Sequence, residues 1–422
     1  MGGVSDDVLV ARAYLSRVAE PACIPLWDAV RRLGPVRVAH DIQAGAAEPK
    51  VQAAAAVRAG HSDPYADLDA AHRLGIRLVV PESDEWPHFA MSCLEAAALR
   101  RLGSFRAGQE QHAEYGEPVP PLALWVQGFA DITALGARSV GLVGARAATG
   151  YGERVAAELA ADLAGRGFEV VSGGAYGIDA AAHRGALSAG VTVLVSAGGL
   201  DRAYPPANAT LFERVAETGA VISESPPGAA PRRRRFLTRN RLIAALATGT
   251  VVVEAARRSG AINTAGHCGR LGRPLMAVPG PVTSPMSAGC HDLIARDGAQ
   301  AILVTSAQDV LGVIGSSSEL PSGHADDSPA TSGRTVGGHP DLRPELDLLD
   351  ETSRRVFDGV PPRRALGLEE LAVVAGVAPL DVLRSLPALQ LAGLVEERDG
   401  GYRLAARVRR TARTDGSAEC SP

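Results

Sequence analysis

Lysine is almost absent from this sequence: Lys50 is the only one, and the rest of the positive charge is arginine. Basic residues number 43 against 47 acidic ones, a formal net charge of −4. The molecule is therefore no polycation, and any nucleic-acid footprint has to be local. Aromatic residues are scarce too, at 4%, which argues against a surface built mainly from stacked rings. The five cysteines, Cys23, Cys93, Cys268, Cys290 and Cys420, are odd in number and scattered, without CxxC spacing. That excludes a disulfide framework and predicts reduced thiols in a cytoplasmic protein. The first eight residues include Asp6 and Asp7 and lack a basic stretch leading into an apolar one, so no secretory signal is expected. The longest apolar stretch, 186–197, is too short and broken to span a bilayer, so no membrane association is expected.

What is present is enough chain for two or three domains, 422 residues with 46% hydrophobic and 21% charged. Residues 1–75 show helical periodicity at Val8, Ala11, Tyr14 and Leu15, then at Leu26, Val30 and Leu33, and read as a small helical domain. Residues 65–128 read as a mixed connector with one candidate strand at 77–80. From Ser139 short β-branched runs (139–143, 169–171, 191–195, 221–222, 250–253, 275–278 and 301–304) alternate with helix-length segments such as 152–165 and 180–188. That alternation is the mark of a parallel α/β sheet covered on both faces, assigned here to 76–314. Residues 315–343 are rich in Ser, Gly, Pro and Asp and read as a flexible linker. Residues 344–406 then read as a winged-helix domain: a helix over 345–358, helices over 368–375 and 379–392 around Gly376, and a hairpin turning at Asp399-Gly-Gly401. Residues 407–422 form a tail whose Arg407, Arg409, Arg410 and Arg413 read as a solvated basic end.

Two glycine-rich loops follow strands and open helices: Gly144-Ala-Arg-Ala-Ala-Thr-Gly-Tyr-Gly152 and Ser172-Gly-Gly-Ala-Tyr-Gly-Ile-Asp179. Backbone N–H groups and a helix dipole converge on an anion at such places, and glycine removes the Cβ that would obstruct it. Arg146 and Thr149 add a cation and a hydroxyl. Neither loop continues into GK[ST] or matches GxGxxG, so a nucleoside triphosphatase or a dinucleotide oxidoreductase is poorly supported. No Asp or Glu stands between Ser225 and Val253, a window that holds Arg232, Arg233, Arg234, Arg235, Arg239 and Arg241. Such a cluster neutralises several phosphates with a steep salt dependence. The first four arginines read equally well as a solvated basic loop. Arg239-Asn-Arg241 leads into the apolar run 242–246, which predicts that it opens an element and contacts ligand.

Asp179 is expected to cap a helix N-terminus, and Glu224 and Glu254 to meet arginines or backbone. The adjacent pairs His267-Cys268 and Cys290-His291 lack metal-ligand spacing, so neither metal nor cofactor is expected. The expected recognition helix of the winged module offers only Arg384 as a cation, which favours a protein-interaction or weak DNA role over base reading.

In this order the motifs resemble the DprA/Smf family. They are Val143-Gly-Ala-Arg146 with Thr149-Gly-Tyr-Gly152, the second glycine loop with His183, Gly199-Leu-Asp201 with Tyr204-Pro205 and Asn208, and Ile222-Ser-Glu224. Arg239-Asn-Arg241, Val253-Glu254, Ser259-Gly260, Thr264-Ala265 and Val278-Pro-Gly280 continue the series, and Gly289, Leu293-Ile294 and Gly298-Ala299 close it. The resemblance implies an extended Rossmann-like domain that dimerises and binds single-stranded DNA without catalysis. It further implies the loading of a RecA-type recombinase onto incoming DNA in natural transformation or recombination. Carried over by position, the DNA-binding residues are Gly144, Arg146, Thr149, Gly150, Ser172, Gly173, Gly174, Gly177, Arg239, Asn240 and Arg241. The second loop departs from the family in carrying Tyr176 where a basic residue is common. An enzyme of the phosphoribohydrolase type is the alternative, but the second loop lacks that family's catalytic glutamate. A transcription regulator acting through the winged helix would need duplex preference.

Overall fold

The computed structural model of the chain describes residues 3–106, 117–295, 301–316 and 349–408, except 363, 399 and 407. Of the linker expected over 315–343, residues 315 and 316 instead end a helix; the rest of it, the start of the helix expected at 345, Asp399 of the hairpin turn and the arginines of the tail lie outside the described residues. The chain divides into two compact units, Met1–Ile314 and Gly315–Pro422.

The first unit opens with α1 (Asp6–Val18), α2 (Ile24–Leu33), α3 (Pro35–Gln43), α4 (Pro49–Ala59) and α5 (Pro64–Arg73). Each of the last four carries proline in its first turn, where the missing N–H costs nothing and φ is already helical. The Asp63 side chain caps α5 by accepting from the N–H groups of Tyr65 and Ala66. Ala11, Tyr14, Leu15, Leu26 and Val30 face one another in this core, as their spacing predicts. Leu33, at the end of α2, is exposed.

Next come β1 (Ile76–Val79), α6 (His88–Arg106), β2 (Leu124–Gly128), β3 (Ser139–Val143), α7 (Gly150–Gly165), β4 (Glu169–Ser172), α8 (Ile178–Ala186), β5 (Thr192–Ser196), α9 (Ala209–Thr218) and β6 (Ala220–Ser223). The unit closes with α10 (Arg233–Leu246), β7 (Gly249–Val252), α11 (Gly260–Leu271), β8 (Leu275–Ala277), α12 (Ala288–Ala295), β9 (Ile302–Leu303) and α13 (Ala307–Ser316). All nine strands form one sheet in the order β1-β2-β6-β5-β4-β3-β7-β8-β9. From β6 to β9 every pairing is parallel, whereas β1 and β2 pair antiparallel with each other and β2 pairs antiparallel with β6. The sheet thus has the expected parallel core, with two antiparallel strands added at one edge. Strand β2 and helix α6 both lie in what the sequence presents as a connector. Leu124, Trp125 and Val126 are fully buried, so β2 has no polar alternation by which to announce itself.

The central strands feed two cores at period two. Val140, Leu142, Val251 and Val253 pack beneath α7, α8 and α13, while Val143 and Val252 pack on the other face with α6, α10 and α11. This accounts for the continuous apolar runs: both faces are covered.

The second unit contains α14 (Glu351–Gly359), α15 (Leu368–Ala375), α16 (Pro379–Leu391), β10 (Val395–Arg398) and β11 (Gly401–Leu404). Gly376, with φ 66°, ends α15 in the left-handed conformation. Val356, Leu371, Val382, Leu386 and Leu389 form its core with Leu394 from the approach to the hairpin. Among the described residues no single helix is long and apolar enough to cross a membrane.

Candidate nucleic-acid interface

Strands β3 and β7 are neighbours, yet the chain winds away from them in opposite directions. In open α/β sheets the crevice beyond their carboxyl ends is where ligands bind. Here the protein fills it with a carboxylate of its own. Glu254, just past β7, is 1% exposed. It accepts from the Thr149 N–H at 2.9 Å and from the Thr149 hydroxyl at 2.6 Å. The same hydroxyl oxygen caps α7 by accepting from the Gly152 N–H at 3.2 Å. Gly152 is glycine for a steric reason, since a Cβ there would lie 2.3 Å from Glu254 Oε2. A carboxylate at a helix N-terminus is favourable in itself, but it repels a phosphate from that seat. Thr149 is thus a cap held by Glu254, and Gly144 packs against Ile178 and the Glu254 carbonyl. Gly150 is exposed at the first turn of α7.

The second loop is built differently. Ser172 is buried and donates its hydroxyl to the Leu142 carbonyl at 2.6 Å. Gly173 and Gly174 are buried behind it. Gly177 has φ 68°, and a Cβ on it would lie 2.4 and 2.5 Å from the carbonyl oxygens of Ala145 and Arg146. Only glycine lets the two loops close on each other, and the Ile178 N–H completes the junction by donating to the Ala145 carbonyl at 3.2 Å. The Asn208 side-chain amide donates to the carbonyls of Gly174 and Ala175 at 3.0 and 3.3 Å. Asp179 does not cap α8: that helix is capped by Gly177 without a side-chain bond. Its buried carboxylate turns back to the Ala175 N–H at 3.4 Å. Burial pushes its pKa up, against the opposing pull of Arg239 and Arg146.

Arg239-Asn240-Arg241 lies within α10, which already begins at Arg233, so the expectation that this motif opens an element is corrected. Arginine is a good helix former, and the run 233–235 is the first turn, not a preceding loop. Arg239 is 6% exposed and supports the second loop from below. Its Nη1 donates to the Gly173 carbonyl at 2.7 Å and also to the Val195 carbonyl. Burial brings its guanidinium down to about 10, with Asp179 opposing and Arg146 assisting. Asn240 donates to the Gly260 carbonyl at 3.2 Å and to Asn263 Oδ1 at 3.0 Å. Arg241, with no exposed surface, meets both oxygens of Glu224 at 2.7 and 2.8 Å. It is an internal ion-pair partner, not a surface cation, which corrects its place in the expected pocket.

The surface above this support holds what the sequence did not reveal. The exposed Arg146 guanidinium lies 5.2 Å from the Phe236 ring centre, and that of Arg239 lies 6.0 Å from it. Tyr204 meets the same ring at 5.4 Å and a tilt of 49°. Tyr204 and Tyr176 are 45% and 36% exposed. In a chain this poor in aromatics, these rings nevertheless gather beside the second loop. Phe236 had one legible signal: it interrupts the acid-free arginine window three residues before Arg239.

A family model described as DNA recombination-mediator protein A matches residues 110–315. A putative DNA processing protein DprA of Mycobacterium tuberculosis (strain H37Rv) is 44% identical over 94% of this chain and 95% of its own length. The chain belongs to the DprA/Smf family. Protein Smf of Escherichia coli K12 is 36% identical, covering 69% of this chain and 74% of that protein. The X-ray structure of DNA processing protein A from Streptococcus pneumoniae superposes with a TM-score of 0.57 at 27% identity, covering 74% of this chain and 98% of that one.

Set within this DprA/Smf fold, the remaining constellations have structural roles. Glu224 pairs with Arg241, as an arginine partner was expected to do. Cys268 and Cys290 are buried, and burial pushes their thiols up to about 11 and about 12. His291 Nε2 lies 3.0 Å from the Gly280 carbonyl.

Proposed function

We propose that this DprA/Smf chain is a non-enzymatic binder of single-stranded DNA. Its contact surface runs from Arg146 across Phe236 to the head of α8 at Tyr176 and Gly177. Arg239 backs the surface, and Gly144, Thr149, Gly150, Ser172, Gly173, Gly174 and Asn240 shape it. The observation that carries the reading is the exposed Arg146 guanidinium 5.2 Å from the Phe236 ring centre, beside the second glycine loop. A cation with bidentate geometry and a π-face in one place suit a phosphate with its attached base. None of these groups reads a base edge, so recognition is of backbone and not of sequence. We propose further that the chain loads a RecA-type recombinase in transformation or recombination, in keeping with the family description of a recombination mediator, and that it acts as a homodimer.

The test is a salt titration of the full chain with an unstructured oligonucleotide, single-stranded and then as duplex. Arg146→Ala is expected to weaken single-strand binding about tenfold to a hundredfold, the range for a hydrogen bond to a charged group. It should also reduce the salt slope by about 0.7. An unchanged slope, or a preference for duplex, overturns the assignment.

A further inference from the structure

The arginine run at the start of α10 is only partly on the surface. Arg233 and Arg234 are exposed, whereas Arg235 is 8% exposed and turned toward the helical region. There it meets Glu20, on the connector between α1 and α2. Arg235 Nε donates to Glu20 Oε2 at 3.0 Å and its Nη2 to Oε1 at 3.0 Å. Arg58, on α4, donates to the same Oε1, and Arg232 Nη1 lies 3.8 Å from it. Three guanidiniums from two elements thus converge on one carboxylate. Their attraction holds that carboxyl well below the usual range although burial opposes it. A cleft lined by Pro21, Ser196, Glu224, Ser225, Arg235 and Arg239 joins this cluster to the support of the second glycine loop. Arg235 and Arg239 stand about one helical turn apart on α10, roughly 6 Å along the axis.

We propose that Arg58, Arg232 and Arg235 form a second phosphate seat for the same DNA strand, and that Glu20 occupies it in the absence of DNA. The inference rests on the single-strand reading above. A carboxylate and a phosphodiester each present one negative charge on paired oxygens, so a fork of guanidiniums that holds one accepts the other. Glu20 is well suited to leave, because it sits on a loop and its side chain is 23% exposed. A strand long enough to run from Arg146 past Phe236 to Arg232 and Arg235 exchanges its phosphate for the carboxylate and releases the α1–α2 connector. A strand that covers only the glycine loops does not. DNA length is thereby converted into a movement of the helical region.

Full-length wild type, Glu20→Gln and Arg146→Ala are compared with a short and a long oligothymidylate across a salt series. Glu20→Gln keeps the size of the side chain and removes its charge. It is expected to tighten binding of the long strand three- to tenfold at low salt and leave the short strand unchanged. Hydrogen–deuterium exchange on the wild type guards against a variant that is merely unfolded. Amides 19–23 should exchange faster with the long strand bound and be unaffected by the short one. If Glu20→Gln leaves both lengths unchanged, or if the connector becomes more protected on binding, the exchange is overturned while the site reading stands. If the wild type binds neither strand, or Arg146→Ala has no effect, the reading beneath it fails first.

Discussion

The two glycine-rich loops look alike in sequence and differ in what sits against them. At the first, Glu254 from the neighbouring strand lies in the crevice and is tied to Thr149. At the second, the nearby carboxylate is Asp179, and it is opposed by Arg239 beneath and Arg146 above. One seat carries a negative charge of its own, and the other has two cations against one carboxylate. A glycine pattern says that the backbone can approach something closely. Whether that something is a phosphate or a carboxylate of the protein is decided largely by residues 66 and 105 positions away.

The sharpest way to break this contrast is Arg239→Ala. It removes the donor to the Gly173 and Val195 carbonyls and leaves Asp179 buried beside no close cation below. Leaving a buried acceptor without its donor costs about 1–3 kcal/mol, and two carbonyls lose theirs here. Urea unfolding should show a loss of that order, with single-strand binding lost as well. A variant of wild-type stability would mean that the second loop stands without its support.

Thr149→Ala tests the other side. Loss of the α7 cap should cost about 1 kcal/mol, read from the same unfolding experiment, while single-strand affinity stays within about twofold. An affinity loss comparable to that of Arg146→Ala would restore Thr149 as a direct phosphate contact.

A third comparison concerns pH. His183, on α8 beneath the second loop, is fully buried with Nδ1 2.7 Å from the Thr192 hydroxyl. Burial pushes its pKa down to about 3, with Arg239 and Arg184 adding to the shift. The folded chain therefore keeps this ring neutral between pH 3 and 6.5, where the unfolded chain protonates it. The unfolded state binds the extra proton, so stability falls as pH drops through this window, by at most about 1.4 kcal/mol per unit. Denaturant midpoints from pH 7 to pH 5 should decline less steeply in His183→Gln. An equal slope in both proteins would show that this ring is not the group responsible.

How far the sequence could be read differs by element. The central strands and the helices between them were legible because both faces of the sheet are covered, and apolar runs of four or five residues betray that directly. Strand β2 was not, since its burial comes from pairing antiparallel with β6, about a hundred residues later. The glycine loops were legible as close-approach turns that open α7 and α8. The role of Arg241 was not, because an arginine paired with Glu224 reads in sequence like one that awaits a ligand.

Sequence by itself therefore determined the alternation of strand and helix, the family, and the residue types gathered at the carboxyl end of the sheet. It could do so because periodicity and glycine placement are local properties of the chain. Only the tertiary structure decided which of those groups face solvent. Arg146 and Phe236 are left at the surface, Arg239 and Arg241 are drawn inside, and Glu20 and Glu254 sit at the sites where anions are expected. Charge at a site is the sum over everything that folds against it, and most of those partners are distant in the chain.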